Sequence, residues 1–208
     1  MNTTTSPINQ QERSIMTTTI TVGTDMRGEF VESLKIACVA GNSKDNRPAL
    51  ECVRIVSDGK EVVIVATDSF VLWEETFLMD CPVFDIMVPS KELKKTLASA
   101  AKRPMFVLEV QDDRVIVNDE TMIRRVLHVD YPNYETLFPN YDTADGAPRG
   151  HVSLGIPALN FLQTIAKTIA GRPVRLYTNP DDYGKPIMVK VRDGVRCIVM
   201  PVRHERDN

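Results

Sequence analysis

The sequence predicts an α+β fold built from one recurring unit: a short strand, an amphipathic helix and a meander of strands. Three observations predict it. Short runs alternate apolar and polar residues at period two between turn formers, three longer segments carry a helical apolar period, and the order strand, helix, strands recurs three times along 208 residues. Generic α+β packing would give the first two features without the third. Individual identities between the copies are weak, so the repeat is one of pattern.

In the first copy a strand at Ile20 to Gly23 leads to a helix from Asp25 to about Ala40, with Asp25 expected as its N-cap. Strands Cys52 to Val56 and Val62 to Ala66 follow, joined at Asp58-Gly59, where glycine accepts the positive φ of a tight hairpin. The second copy runs from a strand at Phe84 to Val88 into a helix from Lys91 to Lys102. Ser90 is placed to cap that helix and Pro104 to stop it. Strands at Met105 to Val110, Val115 to Asn118 and Met122 to Val129 complete the copy. In the third, a strand at His151 to Ile156 precedes a helix with Pro157 in its first turn and Gly171 at its end. Strands Val174 to Thr178, Ile187 to Val191 and Val195 to Val199 close the chain.

Two stretches fall outside the repeat. Residues 1–16 are polar and aperiodic, the composition of a disordered leader, and Met16-Thr-Thr-Thr echoes the opening Met1-Asn-Thr-Thr-Thr. Residues 140–150 are rich in turn formers and read as a linker. The expected organisation is thus a leader at 1–16, a two-copy domain at 17–139, a linker at 140–150 and a partial domain at 151–208.

Composition narrows the function classes. With 43% hydrophobic and 25% charged residues the chain is globular, and no apolar run approaches the roughly 20 residues that span a bilayer, so a cytoplasmic protein is expected. Cys38, Cys52, Cys81 and Cys197 are too scattered for a metal site or disulfide framework and read as buried thiols. Phosphate-binding glycine loops, nucleophile elbows and zinc-ligand helices are missing, and His128, His151 and His204 are far apart. Asp112-Asp113 and Asp181-Asp182 fall at hairpin tips, where aspartate serves turn chemistry. No catalytic residue, metal or cofactor is expected.

The charge is uneven. Five cations in the second helix segment, Lys91, Lys94, Lys95, Lys102 and Arg103, face one acid, Glu92; that segment is +4 and the rest of the chain −7. Lys91, Lys95 and Lys102 fall within about 40° of each other on a helical wheel, opposite Leu93, Leu97 and Ala100. A solvated helix face would look the same, but a concentrated positive face on an acidic protein also steers polyanions. The third helix adds Lys167 and Arg172, whereas the first mixes Glu29, Glu32 and Lys35. No aromatics interleave with the cations for base stacking and no Arg/Asn/Gln cluster serves base readout, so nucleic-acid contact would be to a duplex backbone.

One run poses a puzzle. Val62 to Ala66 is a buried-strand pattern that breaks on Thr67-Asp68-Ser69 and resumes as Phe70-Val71-Leu72-Trp73. On the residues alone that resumption reads as another core strand.

The stretches RPALECVRI (Arg47 to Ile55), VIVATDSFVL (Val63 to Leu72), IMVPSKELKKTL (Ile86 to Leu97), VDYPNYETLFP (Val129 to Pro139) and IVMPVR (Ile198 to Arg203) resemble, in order and spacing, the bacterial DNA polymerase III beta subunit family of replicative sliding clamps. The resemblance implies a DNA-clamp fold, with sheets outside and helices lining a central hole, in which Lys91, Lys94, Lys95, Lys102, Arg103, Lys167 and Arg172 face duplex DNA. It also implies a hydrophobic cleft for short linear motifs of the polymerase and clamp loader at Leu50, Thr67, Ser69, Phe70, Val71, Leu72, Pro139, Val199, Met200, Pro201, Val202 and Arg203. Thr67 and Asp68 would then keep Phe70 to Leu72 presented to partners. Family rings are homo-oligomers of three-domain chains; this shorter chain would close with four copies if each half filled one place, or with three, and suits a phage or mobile element. The family usually has Gly-His-Arg-Leu where this chain has Ser69-Phe70-Val71-Leu72, which alters the rim. The alternative is a clamp-like interaction protein that does not encircle DNA and competes for clamp partners or binds a host clamp.

Overall fold

The structure, a computed structural model, describes residues 17–43, 46–100, 103–138, 153–169, 174–178 and 184–202. The expected leader at 1–16 and linker at 140–150 lie outside these residues. The first copy forms β1 (Thr18–Val22), α1 (Arg27–Ala40), β2 (Cys52–Ser57), β3 (Glu61–Thr67) and β4 (Val71–Leu78). The second forms β5 (Phe84–Pro89), α2 (Ser90–Ala100), β6 (Phe106–Val110), β7 (Arg114–Val117) and β8 (Thr121–Arg124). The third forms α3 (Ile156–Thr168), β9 (Arg175–Tyr177), β10 (Ile187–Lys190) and β11 (Val195–Val199).

Among the described residues all strand pairs are antiparallel, in two sheets ordered β1-β6-β7-β8 and β5-β2-β3-β4-β11-β10-β9. The first two copies exchange their leading strands: β1 joins β6, and β5 joins β2. The third copy extends the sheet of the first, β11 pairing with β4 from Val195↔Glu75 to Val199↔Val71.

Alternation decides what each sheet face meets. On β3, Val62, Ile64 and Ala66 point to the main core with Val53, Ile55, Trp73 and Phe77, while Val65 turns to the other face, as period-two side-chain geometry requires. The helices lie on the main-core side, with α1 packed against both α2 and α3 and against β2, β3 and β4. Walled in by so many neighbours, α1 keeps only a narrow solvent strip at Arg27, Gly28, Glu29, Glu32, Lys35 and Val39. That is why its sequence lacks a broad polar face. The Trp73 indole nitrogen donates to Ser33 Oγ at 3.0 Å, fixing α1 to β4.

Several local expectations are corrected. Asp25 does not cap α1: the chain enters through a backbone turn, with Arg27 N donating to Gly23 O and Met26 in the cap position. Ser90 does not cap α2, because β5 runs directly into the helix and makes Ser90 its first residue, with its buried hydroxyl unpartnered. The helix is described to Ala100, ahead of Pro104. The strand expected to reach Val129 ends at Arg124, where the chain crosses the edge of β5 and Val126 N donates to Met87 O. Ser153 to Gly155 is no strand and Ile156 already belongs to α3. The leading strands of copies one and two are housed in each other's sheets.

Candidate partner groove and basic helix face

The turn from β3 to β4 resolves the break at Thr67-Asp68-Ser69. Asp68 Oδ1 accepts from Phe70 N and Val71 N, both at 2.9 Å, and Thr67 Oγ1 donates to Val71 O at 2.8 Å, so the acid closes a hairpin by binding its own backbone. Ser69 sits at φ 80, in the left-handed region where glycine is at ease, and its Oγ accepts from Arg47 Nη2 at 3.0 Å. Phe70 is 58% exposed. Val71 and Leu72, expected to be presented with it, are buried: regular pairing in β4 sends Val71 into the main core and Leu72 under the other face.

That other face of the seven-stranded sheet is crossed by residues 125–138, a strap whose one regular element is a single 3-10 turn at Glu135–Leu137. Register places Met87, Arg54, Val65, Glu74 and Arg196 side by side across five strands. The strap follows that row. Arg125 donates to Asp85 O at 3.0 Å, the Arg54 guanidinium lies 5.5 Å from the Tyr131 ring centre, and Tyr131 and Tyr134 meet edge-on at 6.1 Å. Tyr134, Val65, Leu72 and Ile198 form a small second core, with Tyr131 and Phe138 packed against it. Burial, and then the Glu74 carboxylate beside it, raise the pKa of the Tyr134 phenol.

Between the strap and the segment Asn46 to Leu50, at the β3–β4 end of the sheet, opens a groove of about 580 Å³, walled by Pro48, Ala49, Leu50, Thr67, Pro132, Tyr134 and Leu137, with Arg47, Ser69 and Asp130 among its polar lining. Of the sequence-expected cleft, Leu50, Thr67 and Ser69 line it. Phe70, Val71, Leu72 and Val199 do not: Leu72 packs in the small second core, Val71 and Val199 belong to the main core, and Phe70 is exposed. Met200 is adjacent, its N donating to Phe70 O at 2.7 Å, while Val202 N bonds Ser153 O at 2.8 Å and Pro201 lies between them. Pro139 and Arg203 lie outside the described residues. Sequence reasoning missed Arg47, Tyr134 and Leu137, although the motifs holding them were noticed. The available signal was aromatic residues in a run with neither strand nor helix period.

On the helix side, Lys91, Lys94 and Lys95 of α2 and Lys167 of α3 are exposed. Lys102 and Arg172 lie outside the described residues. Arg103, expected to face duplex DNA, is ion-paired with Glu120, and its carbonyl accepts from Arg27 Nη1 at 2.5 Å. Its position just beyond α2, beside the turn into β8, brings that acid within reach. The acids of α1 are also engaged: Arg192 lies 3.7 Å from Glu29 and 3.5 Å from Glu32.

Among the described residues, no group of three or more His, Cys, Asp or Glu side chains could hold a metal ion. Burial pushes the Cys38 thiol up to about 12, far from thiolate reactivity. No described helix is long and apolar enough to cross a membrane.

The described residues thus carry exposed lysines on the helix side and a groove beneath the strap. The fold is the DNA-clamp fold. The DNA polymerase III beta subunit from Thermotoga maritima matches with 16% identity and a TM-score of 0.67, over 96% of this chain and 68% of that one. The sliding clamp from Bacillus subtilis matches with 15% and 0.67, over 95% and 67%. A beta-subunit clamp from Pseudomonas aeruginosa, bound to griselimycin, matches with 13% and 0.68, over 96% and 68%. No family model matches the chain, and no curated protein matches it in sequence. The chain spans about two thirds of the length of these clamps.

Proposed function

We propose that the chain is a noncatalytic DNA sliding clamp, a processivity factor that encircles duplex DNA as a homo-oligomeric ring and tethers a replicative polymerase and its loader through the groove. The observation that carries this reading is the two-faced layout: Lys91, Lys94 and Lys95 exposed on α2, and an apolar groove behind the sheet. Lysines without base-reading partners hold phosphates independently of sequence and let a protein slide. An apolar groove repays the ordering entropy of a short peptide by burying a few anchors. Ring closure has a physical route. One sheet ends at β1 and the other at β9, each with an edge unpaired by any described strand. Such edges accept another strand, and a repeated head-to-tail contact closes a ring when its rotation permits.

Solution mass and retention on circular DNA test this. A closed oligomer that stays on a nicked circle and runs off after linearisation is expected; a monomer at micromolar concentration overturns the ring. Griselimycin, bound by the Pseudomonas aeruginosa clamp, is the ligand to try: saturable binding by calorimetry that Leu137→Ala weakens would assign it to the groove.

The second reading, a clamp-like interaction protein that does not encircle DNA, is favoured by one observation. The solvent strip of the central helix sets Glu29 and Glu32 against Arg27 and Lys35, a face without the excess of cations that holds phosphate. A soluble monomer that binds griselimycin and ignores DNA would select it.

A further inference from the structure

The groove wall has little structure of its own. Tyr134 and Leu137 sit on the strap, which lacks ladder hydrogen bonds across most of its length, yet both must stand in place before an occupant arrives. The far end of the strap is held through Arg196 in β11, a residue of the third copy. Its guanidinium grips Glu74 at 2.5 and 2.8 Å, donates to Glu135 of the strap at 3.0 Å, and lies 4.3 Å from the Phe138 ring centre. Glu74 is buried, so its pairing with Arg196 has a strong reason to persist, and it fixes the direction in which Arg196 presents itself to the strap. Phe138 in turn meets Tyr134 edge-on at 6.3 Å. None of Arg196, Glu135 and Phe138 lines the groove.

We infer that Arg196 is a positioning residue for the groove: through Glu135 and Phe138 it fixes the strap that carries Tyr134 and Leu137, so groove occupancy and docking of the third copy are thermodynamically coupled. The inference rests on the groove being the partner site. It follows from linkage. If an occupant needs the ordered strap, and the ordered strap needs β11 beside β4, then an occupant favours the docked third copy by the same factor with which docking favours the occupant. A strap ordered only part of the time lowers apparent affinity in proportion.

The test uses the full chain and the double variant Glu135→Gln with Phe138→Ala. This releases the strap while leaving Glu74 with its arginine, so no buried carboxylate is stranded. Two readouts are taken: hydrogen exchange at the amides of Tyr131 and residues 133–138, and griselimycin affinity by calorimetry. The expected result is faster exchange confined to the strap, unchanged exchange in β4 and β11, and affinity weakened about tenfold. The conservative pair Glu135→Asp with Phe138→Tyr should restore both readouts towards wild type. Wild-type affinity in a loosened strap overturns the inference, as does weakened affinity with unaltered exchange, since the residues would then act by another route. A wild-type chain that binds no griselimycin fails the groove reading itself and removes the basis of the inference, an outcome distinct from the other two. Should the double variant misfold, Glu135→Gln alone, at a side chain 58% exposed, gives the same readouts.

Discussion

Arg192 and Glu75 lie 117 residues apart in sequence and meet through two nitrogens, Nε at 2.7 Å and Nη2 at 3.0 Å, with both side chains almost fully buried. The pair joins the β10–β11 turn of the third copy to β4 of the first. It is reinforced by Thr76 N donating to Gly194 O at 3.0 Å, in a turn where Gly194 sits at φ 77 and a Cβ would press on Thr76 O.

Removing one partner strands the other. Arg192→Met should cost about 3–5 kcal/mol, because Glu75 would stay buried and uncompensated, and Arg192→Met with Glu75→Gln should recover much of it, read by urea unfolding. The pH dependence follows from the direction of the shift. Burial raises the Glu75 pKa above 4.5 by more than Arg192 lowers it. The folded state therefore holds that proton more tightly than the unfolded chain, and stability from this group falls as pH rises through the window between the two values. In Arg192→Met the folded value climbs further. The variant should be nearer to wild type at low pH than at neutrality; a deficit that grows on acidification would contradict the assignment.

Reversing the charges of Lys91, Lys94 and Lys95 to glutamate should abolish retention on circular DNA. These side chains are exposed, so each change should alter stability by no more than about 0.5 kcal/mol. If some binding survives, the slope of log affinity against log salt should fall by about 0.9 for each phosphate the variant no longer neutralises. Undiminished retention would take α2 out of the DNA role.

Leu72 and Leu137 should separate stability from recognition. Leu72 is 1% exposed beneath the strap, so Leu72→Ala should cost about 2–5 kcal/mol in unfolding free energy. Leu137 lines the groove and is 43% exposed, so Leu137→Ala should weaken griselimycin binding while leaving the melting temperature nearly unchanged. The opposite pattern would place the site elsewhere.

The β3–β4 turn makes its own prediction. Asp68→Ala removes the acceptor of two backbone amides and should cost about 1 kcal/mol, and Ser69→Val, forcing a β-branched residue to φ 80, about 1–2 kcal/mol. Thermal unfolding measures both. A neutral Ser69→Val would mean that the turn adopts another conformation in solution.

Legibility in the sequence followed the range of the forces. Strand β11 and the Asp58-Gly59 hairpin are written in local alternation and turn chemistry, and both were readable to within a residue or two. Asp58 Oδ1 indeed takes the amides of Lys60 and Glu61 at 2.9 and 3.1 Å. The starts of α1 and α2 were misread because Asp25 and Ser90 have the right side chains for caps, whereas the backbone path, which sequence does not display, decides where a helix begins. The groove was half readable. Leu50, Thr67 and Ser69 lie on or beside regular elements, but Tyr134 and Leu137 belong to a strap held by side chains distant in sequence, such as Arg196, which grips Glu135 from 61 residues away. No period announces a segment whose shape is imposed from outside.

The chain contains one tryptophan, and its surroundings make it informative. Trp73 has Ala66 on one flank and Cys197 on the other as its cross-strand neighbours, and its indole rests on α1. Light emitted by that ring therefore reports on the seam where the last strand joins the rest: detachment of the C-terminal copy would bring water to the indole and shift its fluorescence to the red. The molecule carries a built-in optical gauge of its own assembly, with no label required.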